Sequence, residues 1–230
     1  ANRDRTVGAI VVSGEGDSFC VGGDSQALEG HSARGSYDSG VLGDISVPGY
    51  GIDERFDATF AYHYGLDKPL IAAINGAAAG VGLALAAFAD VRFSVPMAKL
   101  TTAHGKLNLP AEYGLSWILP RIVGLGRAND LLLTSRVFLS EEAEKIGFVN
   151  QLFSSEQLLH EAEGYARELV KNISPDSLRQ TRWQIYRDQH DAVARSVENS
   201  EELLESMMKD EDFREGVRSL VEKRSPRWKV

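Results

Sequence analysis

Two glycine-rich segments hold the residues whose type and spacing point most clearly to chemistry: Phe19-Cys-Val-Gly-Gly-Asp24 and Asn75-Gly-Ala-Ala-Ala-Gly-Val-Gly82. Each follows an apolar, strand-like run, so each is expected to turn the chain at a strand end and leave backbone N–H groups exposed. Either one alone reads equally well as a tight connection. Together, with the second opening a helix whose dipole adds positive potential, they have the composition of an oxyanion hole for a thioester carbonyl. Other signatures fail on single residues. Gly80-Val-Gly82 meets Leu85 where a dinucleotide fingerprint needs its third glycine, and Gly105-Lys106 meets Leu107 where a phosphate loop needs Ser or Thr. No H-E-x-x-H or G-x-S-x-G is present, and none of the five histidines is spaced with another as a metal ligand, so no metal is expected.

The elements that must carry these turns are legible in outline. Thr6–Val12 is a short β-branched run that fits a strand buried on both faces, closed by a turn over Ser13–Asp17. Leu70–Ile74 repeats that grammar, an Ala-rich helix is expected over Ala79–Ala89, and Asp90–Val95 reads as a further strand. Between them, Ser25–Gly51 reads as a long, mobile functional loop. Ser140–Ala143 looks like a capped short helix, Phe148–Phe153 a strand, and Ser154–Lys171 a long amphipathic helix; Ser174-Pro175 marks another helix start. Leu203, Leu204 and Met207, then Phe213, Val217 and Leu220, recur at helical spacing. The expected fold is an α/β core followed by a helical C-terminal subdomain, divided at 1–153 and 154–230.

The composition narrows the partners. At 230 residues, with 25 basic and 33 acidic side chains and a net charge of −8, the chain repels phosphodiester backbones and anionic lipid, so no nucleic acid or membrane partner is expected. Pro69–Ala89 carries no charge, but Pro69, Asn75 and its glycines divide it, and it reads as part of a globular core. The single cysteine, Cys20, rules out an internal disulfide and a cysteine-based zinc site, and it suits a reducing compartment such as the cytoplasm.

At this point the motifs resemble those of the crotonase superfamily of enoyl-CoA hydratases and isomerases. Phe19–Asp24 is similar to its F-x-A-G-x-D turn, and Lys68–Gly76 through Gly82 and Asp90 to its K-P-x-I-A-A-x-N-G…G-G-G…D block. Gly114–Arg121 with Gly124, and Thr134–Gly147, resemble later segments, so the likeness covers nearly the whole chain. The family's first hairpin and helix are not found ahead of Ala1, and the lack of an initiator Met suggests a start downstream of the native one. The resemblance implies a crotonase-like spiral of ββα units, an acyl-CoA thioester as partner, no cofactor beyond the coenzyme A of the substrate, and assembly into trimers or hexamers.

It also implies roles. The N–H groups of Gly23 and Val81 hold the thioester oxygen. Cys20, Gly22, Asp24, Gly80, Tyr62 and Trp117 are the expected substrate-binding residues, although Cys20 and Tyr62 also read as packing, and Asp24 and Asp90 as structural turn-closing groups. The two glutamates that position water in the family's hydratases fall at Ala84 and at His104, so both carboxylates are missing. Glu112 instead lies where certain family isomerases carry their base, though it also reads as a carboxylate favoured by a helix N-terminus. Apolar neighbours such as Leu109 and Trp117 are expected to raise its pKa. His104 is a possible second catalytic group or water holder, and Lys223 and Arg227 could approach the CoA phosphates.

The expected activity is double-bond isomerisation of an enoyl-CoA thioester with Glu112 as the single acid/base. The alternatives are a hydratase or lyase drawing a second acid from Asp44, Asp53 or Glu54, a hydrolase with water on His104, or an acyl-CoA-binding protein without catalysis.

Overall fold

A computed structural model describes residues 1–23, 25–35 and 53–229. Asp24, and the stretch 36–52 with Asp44 inside it, lie outside the described residues. Two four-stranded sheets form the core. The first has the order β1 (Ile10–Ser13), β3 (Leu70–Ile74), β5 (Val91–Ser94), β8 (Gln151–Leu152), all neighbours parallel. The second has the order β2 (Ser18–Cys20), β4 (Ala77–Ala79), β6 (Lys99–Thr101), β7 (Phe138–Leu139), parallel except for the β6–β7 pair. The chain lays one strand in the first sheet and the next in the second, then repeats the step one position along. α2 (Val81–Ala87) closes one such ββα turn. This is the spiral that the motifs lead one to expect.

β3 shows why the core holds. Its side chains alternate between faces with the two-residue period of a strand. Leu70, Ala72 and Ile74 enter a core between the sheets with Phe19, Leu83, Leu100 and Leu115, whereas Ile71 and Ala73 enter a second core with Phe93 and Val95. α6 (Leu158–Asn172) covers that second core, setting Ala162 and Ala166, four residues apart, against the sheet. Each fully buried Ile or Leu here contributes ~1.5–3 kcal/mol.

Several expectations change. The first strand is four residues long and only partly buried, because it is the edge of its sheet. Ala79, the expected start of the Ala-rich helix, instead ends β4: its pairing with Thr101 of β6 outweighs the helical preference of alanine, and α2 runs only from Val81 to Ala87. Ser25–Arg34 forms α1, so the first part of the supposed long loop is helical. Strand structure within 148–153 shrinks to Gln151–Leu152. α5 (Ser140–Lys145) is not capped by Ser140, whose buried hydroxyl accepts from the Ala98 N–H at 3.1 Å. Tyr62, His63 and Tyr64 stand on a 3-10 turn, Ala61–Gly65.

The remaining helices are α3 (Leu115–Val123), α4 (Leu125–Thr134), α7 (Pro175–Asp188), α8 (Val193–Met207) and α9 (Glu211–Glu222). α7 starts at Pro175 as read, with the Ser174 hydroxyl accepting from the Ser177 N–H. It is bolted to the core through Arg182, whose Nε donates to Asp90 at 2.8 Å and whose other nitrogens donate to the carbonyls of His63, Tyr64 and Leu66. α8 buries none of its residues; Val193, Val197 and Leu204 are exposed, as are Phe213, Val217 and Leu220 on α9. No helix among the described residues is long and apolar enough to cross a membrane, and the uncharged Pro69–Ala89 stretch is spent on β3, β4 and α2.

Candidate active site

β2 and β4 run side by side in parallel, so the turns that leave them emerge at the same end of the second sheet. Gly22 (φ 87°) brings its turn so close that a Cβ there would lie 3.2 Å from the Ala79 carbonyl oxygen and 4.0 Å from Val81. Gly80 adopts φ 53° and ψ −115°, a combination only glycine tolerates, and its N–H donates to the Thr101 carbonyl at 3.1 Å. α2 then starts, and the N–H of Val81 is one of the first-turn donors that no helical carbonyl reaches. Neither that group nor the Gly23 N–H has a backbone partner among the described residues. The two expected oxyanion donors therefore stand on adjoining turns.

Close contact between these turns depends on Gly82. A Cβ on it would sit 1.9 Å from the Cys20 carbonyl oxygen. Gly76 has the same function lower down, 2.0 Å from the Asp17 oxygen. Asn75, at the end of β3, clips the turn between β1 and β2: its Oδ1 accepts from the Gly14 N–H at 2.9 Å, and its Nδ2 donates to the Gly16 carbonyl at 2.7 Å. Cys20 enters this frame through its backbone, with its thiol free and partly buried.

Glu112 faces the second turn. Its Oε2 is 4.0 Å from the position a Gly80 Cβ would take, and the carboxyl is half-buried. Burial raises its pKa above the usual value, and His104 partly opposes the shift by favouring the charged form. Two consecutive left-handed residues, Tyr113 (φ 52°) and Gly114 (φ 78°), redirect the chain from Glu112 into α3. Leu109, expected to shield this acid, is itself exposed. Ala84 is fully buried on α2, so at one of the two positions where the resemblance places a hydratase glutamate there is a methyl group packed in the core. At the other, His104 is buried at 6% exposure.

The remaining expected residues separate. Tyr62 packs its ring against that of His63, with centres 4.3 Å apart and planes tilted by 50°. Trp117 has the Arg121 guanidinium 3.8 Å above its ring and stacks with His190 at 5.4 Å. Asp90 is structural, as the sequence suggests: it accepts from the Leu70 N–H at 2.7 Å, from Arg182 and from the Tyr186 hydroxyl. Asp53 is held charged by Arg55, which lowers its pKa to about 2, and Glu54 is exposed; neither is suited to serve as a second acid. Arg227 donates its backbone N–H to Glu215, tying the basic tail back onto α9. Among the described residues, no cluster of His, Cys, Asp and Glu is arranged to hold a metal ion. Clefts of about 490 and 500 Å³ lie away from Glu112, one beneath the starts of β1 and β3 beside Lys68 and Trp228, the other between Asp53 and α8.

Sequence reasoning missed two residues that hold this arrangement. Ser135, buried and left-handed at φ 45°, accepts from the Gly105 N–H at 3.0 Å and fixes the turn that carries His104. Arg182 looks like one more basic side chain on an amphipathic helix, and nothing in its neighbours announces a buried one.

A fold of this kind, with paired strand-end turns and an acid across from them, defines an acyl-thioester enzyme scaffold, and sequence comparison agrees. The family model described as enoyl-CoA hydratase/isomerase matches residues 1–230, and the chain belongs to that family. It is 28% identical to a 1,2-epoxyphenylacetyl-CoA isomerase of Escherichia coli, over 98% of this chain and 82% of that protein. It is 30% identical to a probable enoyl-CoA hydratase of Rhizobium meliloti, over 99% and 82%. Among solved structures, a probable enoyl-CoA hydratase/isomerase from Mycobacterium abscessus superposes with a TM-score of 0.85 at 26% identity, covering 99% of this chain and 83% of that one.

Proposed function

We propose that this protein shifts a carbon–carbon double bond along the acyl chain of an enoyl-CoA thioester, using Glu112 as its only acid/base. Glu112 removes a proton from C2 of a 3-enoyl thioester, the N–H groups of Gly23 and Val81 hold the resulting enolate oxygen, and the protonated acid returns the proton at C4. No cofactor beyond the coenzyme A of the substrate enters this chemistry. The observation that carries the reading is the half-buried carboxyl of Glu112, with its raised pKa, against the Gly80 turn. Proton shuttling of this kind contributes ~10²–10⁴-fold, and each oxyanion donor ~10²–10³-fold. The 1,2-epoxyphenylacetyl-CoA isomerase among the relatives favours an isomerase.

Relatives named hydratases keep hydration as the second reading. Against it stand, among the described residues, the buried methyl of Ala84 and the charged, arginine-held Asp53, which leave one carboxyl there where hydration calls for two. The test is conversion of 3-hexenoyl-CoA to its conjugated isomer by wild type and Glu112→Gln. The expected result is a rate that collapses in the variant while CoA binding persists; equal rates would overturn the assignment.

Self-assembly into a trimer or hexamer is part of the same proposal. Its support is the apolar side chains that α8 and α9 leave in water, where a surface that apolar is normally covered.

A further inference from the structure

Among the described residues, two aromatic side chains stand on left-handed backbone, Phe60 (φ 65°) and Tyr113 (φ 52°). A bulky residue rarely takes that conformation, because its Cβ crowds the backbone. At Phe60 the distortion is a closed γ-turn, φ 65° and ψ −42°, in which the Ala61 N–H donates to the Thr59 carbonyl at 2.8 Å. The two strained residues come from distant parts of the chain, yet their rings meet, with centres 5.1 Å apart and planes tilted by 50°. Strain of this sort persists only where the surroundings enforce it, and it gathers at functional sites. Both rings are only partly buried, so hydrophobic burial is weak compensation for two distorted backbones.

Both sides of the contact are fixed. The turn of Phe60 is tied to α7, whose Arg182 donates to the carbonyls of His63, Tyr64 and Leu66, and the His63 N–H donates to the Phe60 carbonyl at 3.0 Å. On the other side, the Leu115 N–H donates to the Glu112 carbonyl at 3.0 Å and closes a turn over Tyr113 and Gly114. A Cβ on Gly114 would lie 3.3 Å from the Phe88 ring, and Phe88 stands 6.0 Å from Phe60, centre to centre. Phe60, Phe88 and Tyr113 therefore form one aromatic wedge at the turn that carries the acid.

We propose that Phe60 is a positioning residue for Glu112: its ring, held in place by the γ-turn, backs Tyr113 and so sets the approach of the neighbouring carboxyl to the Gly80 turn. This rests on the acid/base reading of Glu112 above and adds the residue that aims it. The carboxyl is at contact distance from that turn, with Oε2 4.0 Å from the position of a Gly80 Cβ. Proton transfer tolerates little drift from there, since a displacement of about 1 Å costs ~10²-fold in rate.

Steady-state kinetics on 3-hexenoyl-CoA with wild type, Glu112→Gln, Phe60→Gly and Phe60→Tyr, together with thermal unfolding of each, test this. Glycine relieves the left-handed strain as it removes the ring. Phe60→Gly is therefore expected to melt within a few degrees of wild type and yet to lose ~10²-fold in kcat, with KM changed by less than about threefold. Phe60→Tyr, which keeps the ring, restores kcat to within about threefold of wild type. Phe60→Leu, apolar but without a flat face, stands in where the glycine variant does not fold, and is expected to lose about tenfold or more in kcat. An unchanged kcat in Phe60→Gly, or in Phe60→Leu where it stands in, would overturn the inference, while a collapse in Glu112→Gln would leave the acid in place. A loss confined to KM, or one that Phe60→Tyr shares, would overturn it too. Equal rates in wild type and Glu112→Gln, or no turnover by wild type, would overturn the acid/base reading and this inference with it.

Discussion

Adding one methyl group at Gly82 pushes directly on the proposed oxyanion hole. The new Cβ would lie 1.9 Å from the Cys20 carbonyl oxygen and 2.7 Å from its carbonyl carbon, whereas ordinary contact begins near 3.4 Å. The opposing atoms are backbone in a paired strand end and cannot rotate away, so α2 and the end of β2 must separate by about 1.5 Å or distort, and a displacement of this size can cost ~10²-fold in rate. Val81 is the neighbouring residue and Gly23 lies three residues beyond Cys20, so the two donors move apart together. Overpacking costs ~1–3 kcal/mol, here near the upper end because backbone is struck; the gain from replacing a helical glycine returns ~1 kcal/mol. The net loss of about 2 kcal/mol lowers the melting temperature by ~4–8 °C in a chain of this size. Gly164 in α6 is the control, because its Cβ position meets nothing within 4 Å, so Gly164→Ala stabilises by ~0.5–1 kcal/mol. The measurements are thermal unfolding of both variants and 3-hexenoyl-CoA turnover of Gly82→Ala. A Gly82→Ala protein that melts and turns over like wild type would refute the close approach of the two turns and the oxyanion hole built on it.

Asp90→Asn removes the charge that faces Arg182, whose side chain is 5% exposed, and is expected to cost about 3 kcal/mol, read as a lower urea midpoint at unchanged slope. His63 is buried, which together with the nearby Arg182 lowers its pKa from 6.5 to about 4, against a smaller opposing effect of Asp90. The unfolded chain therefore binds a proton that the folded one refuses, and stability falls as pH drops from 6.5 toward 4, by about 3 kcal/mol at most; His63→Gln flattens that part of the pH–stability curve. Leu204→Lys on α8 places a charge in an exposed apolar row and is expected to lower the mass found by light scattering relative to wild type, while a mass unchanged by the substitution would remove this face from the proposed assembly.

Local grammar made much of the scaffold legible. Leu70–Ile74 reads as a buried strand, since its β-branched and apolar residues stop at Asn-Gly, and the sharp turn into α2 follows from Gly80, whose backbone only glycine tolerates. Phe19–Asp24 and Asn75–Gly82 are legible as a pair of glycine-rich segments following apolar strands because both features belong to a few consecutive residues. Ala79 departs from its expected helix for the converse reason: alanine prefers helix by about half a kcal/mol over most residues, and pairing with β6 outweighs that.

What only the tertiary structure decided is which side chains face one another across long stretches of chain. Arg182 and Asp90 are 92 residues apart and share one buried hydrogen bond. Trp117 meets the Arg121 guanidinium and the His190 ring, the latter 73 residues away in the chain. Glu112 and the Gly80 turn, like Gly82 and the Cys20 carbonyl, come together because β2, β4 and β6 pair in one sheet and end at one level. Strand periodicity and glycine placement are properties of a few consecutive residues, and so the sequence alone determined them. Burial, charge pairing and contact at 4 Å depend on register between elements distant in the chain, and they exist only once the spiral has closed.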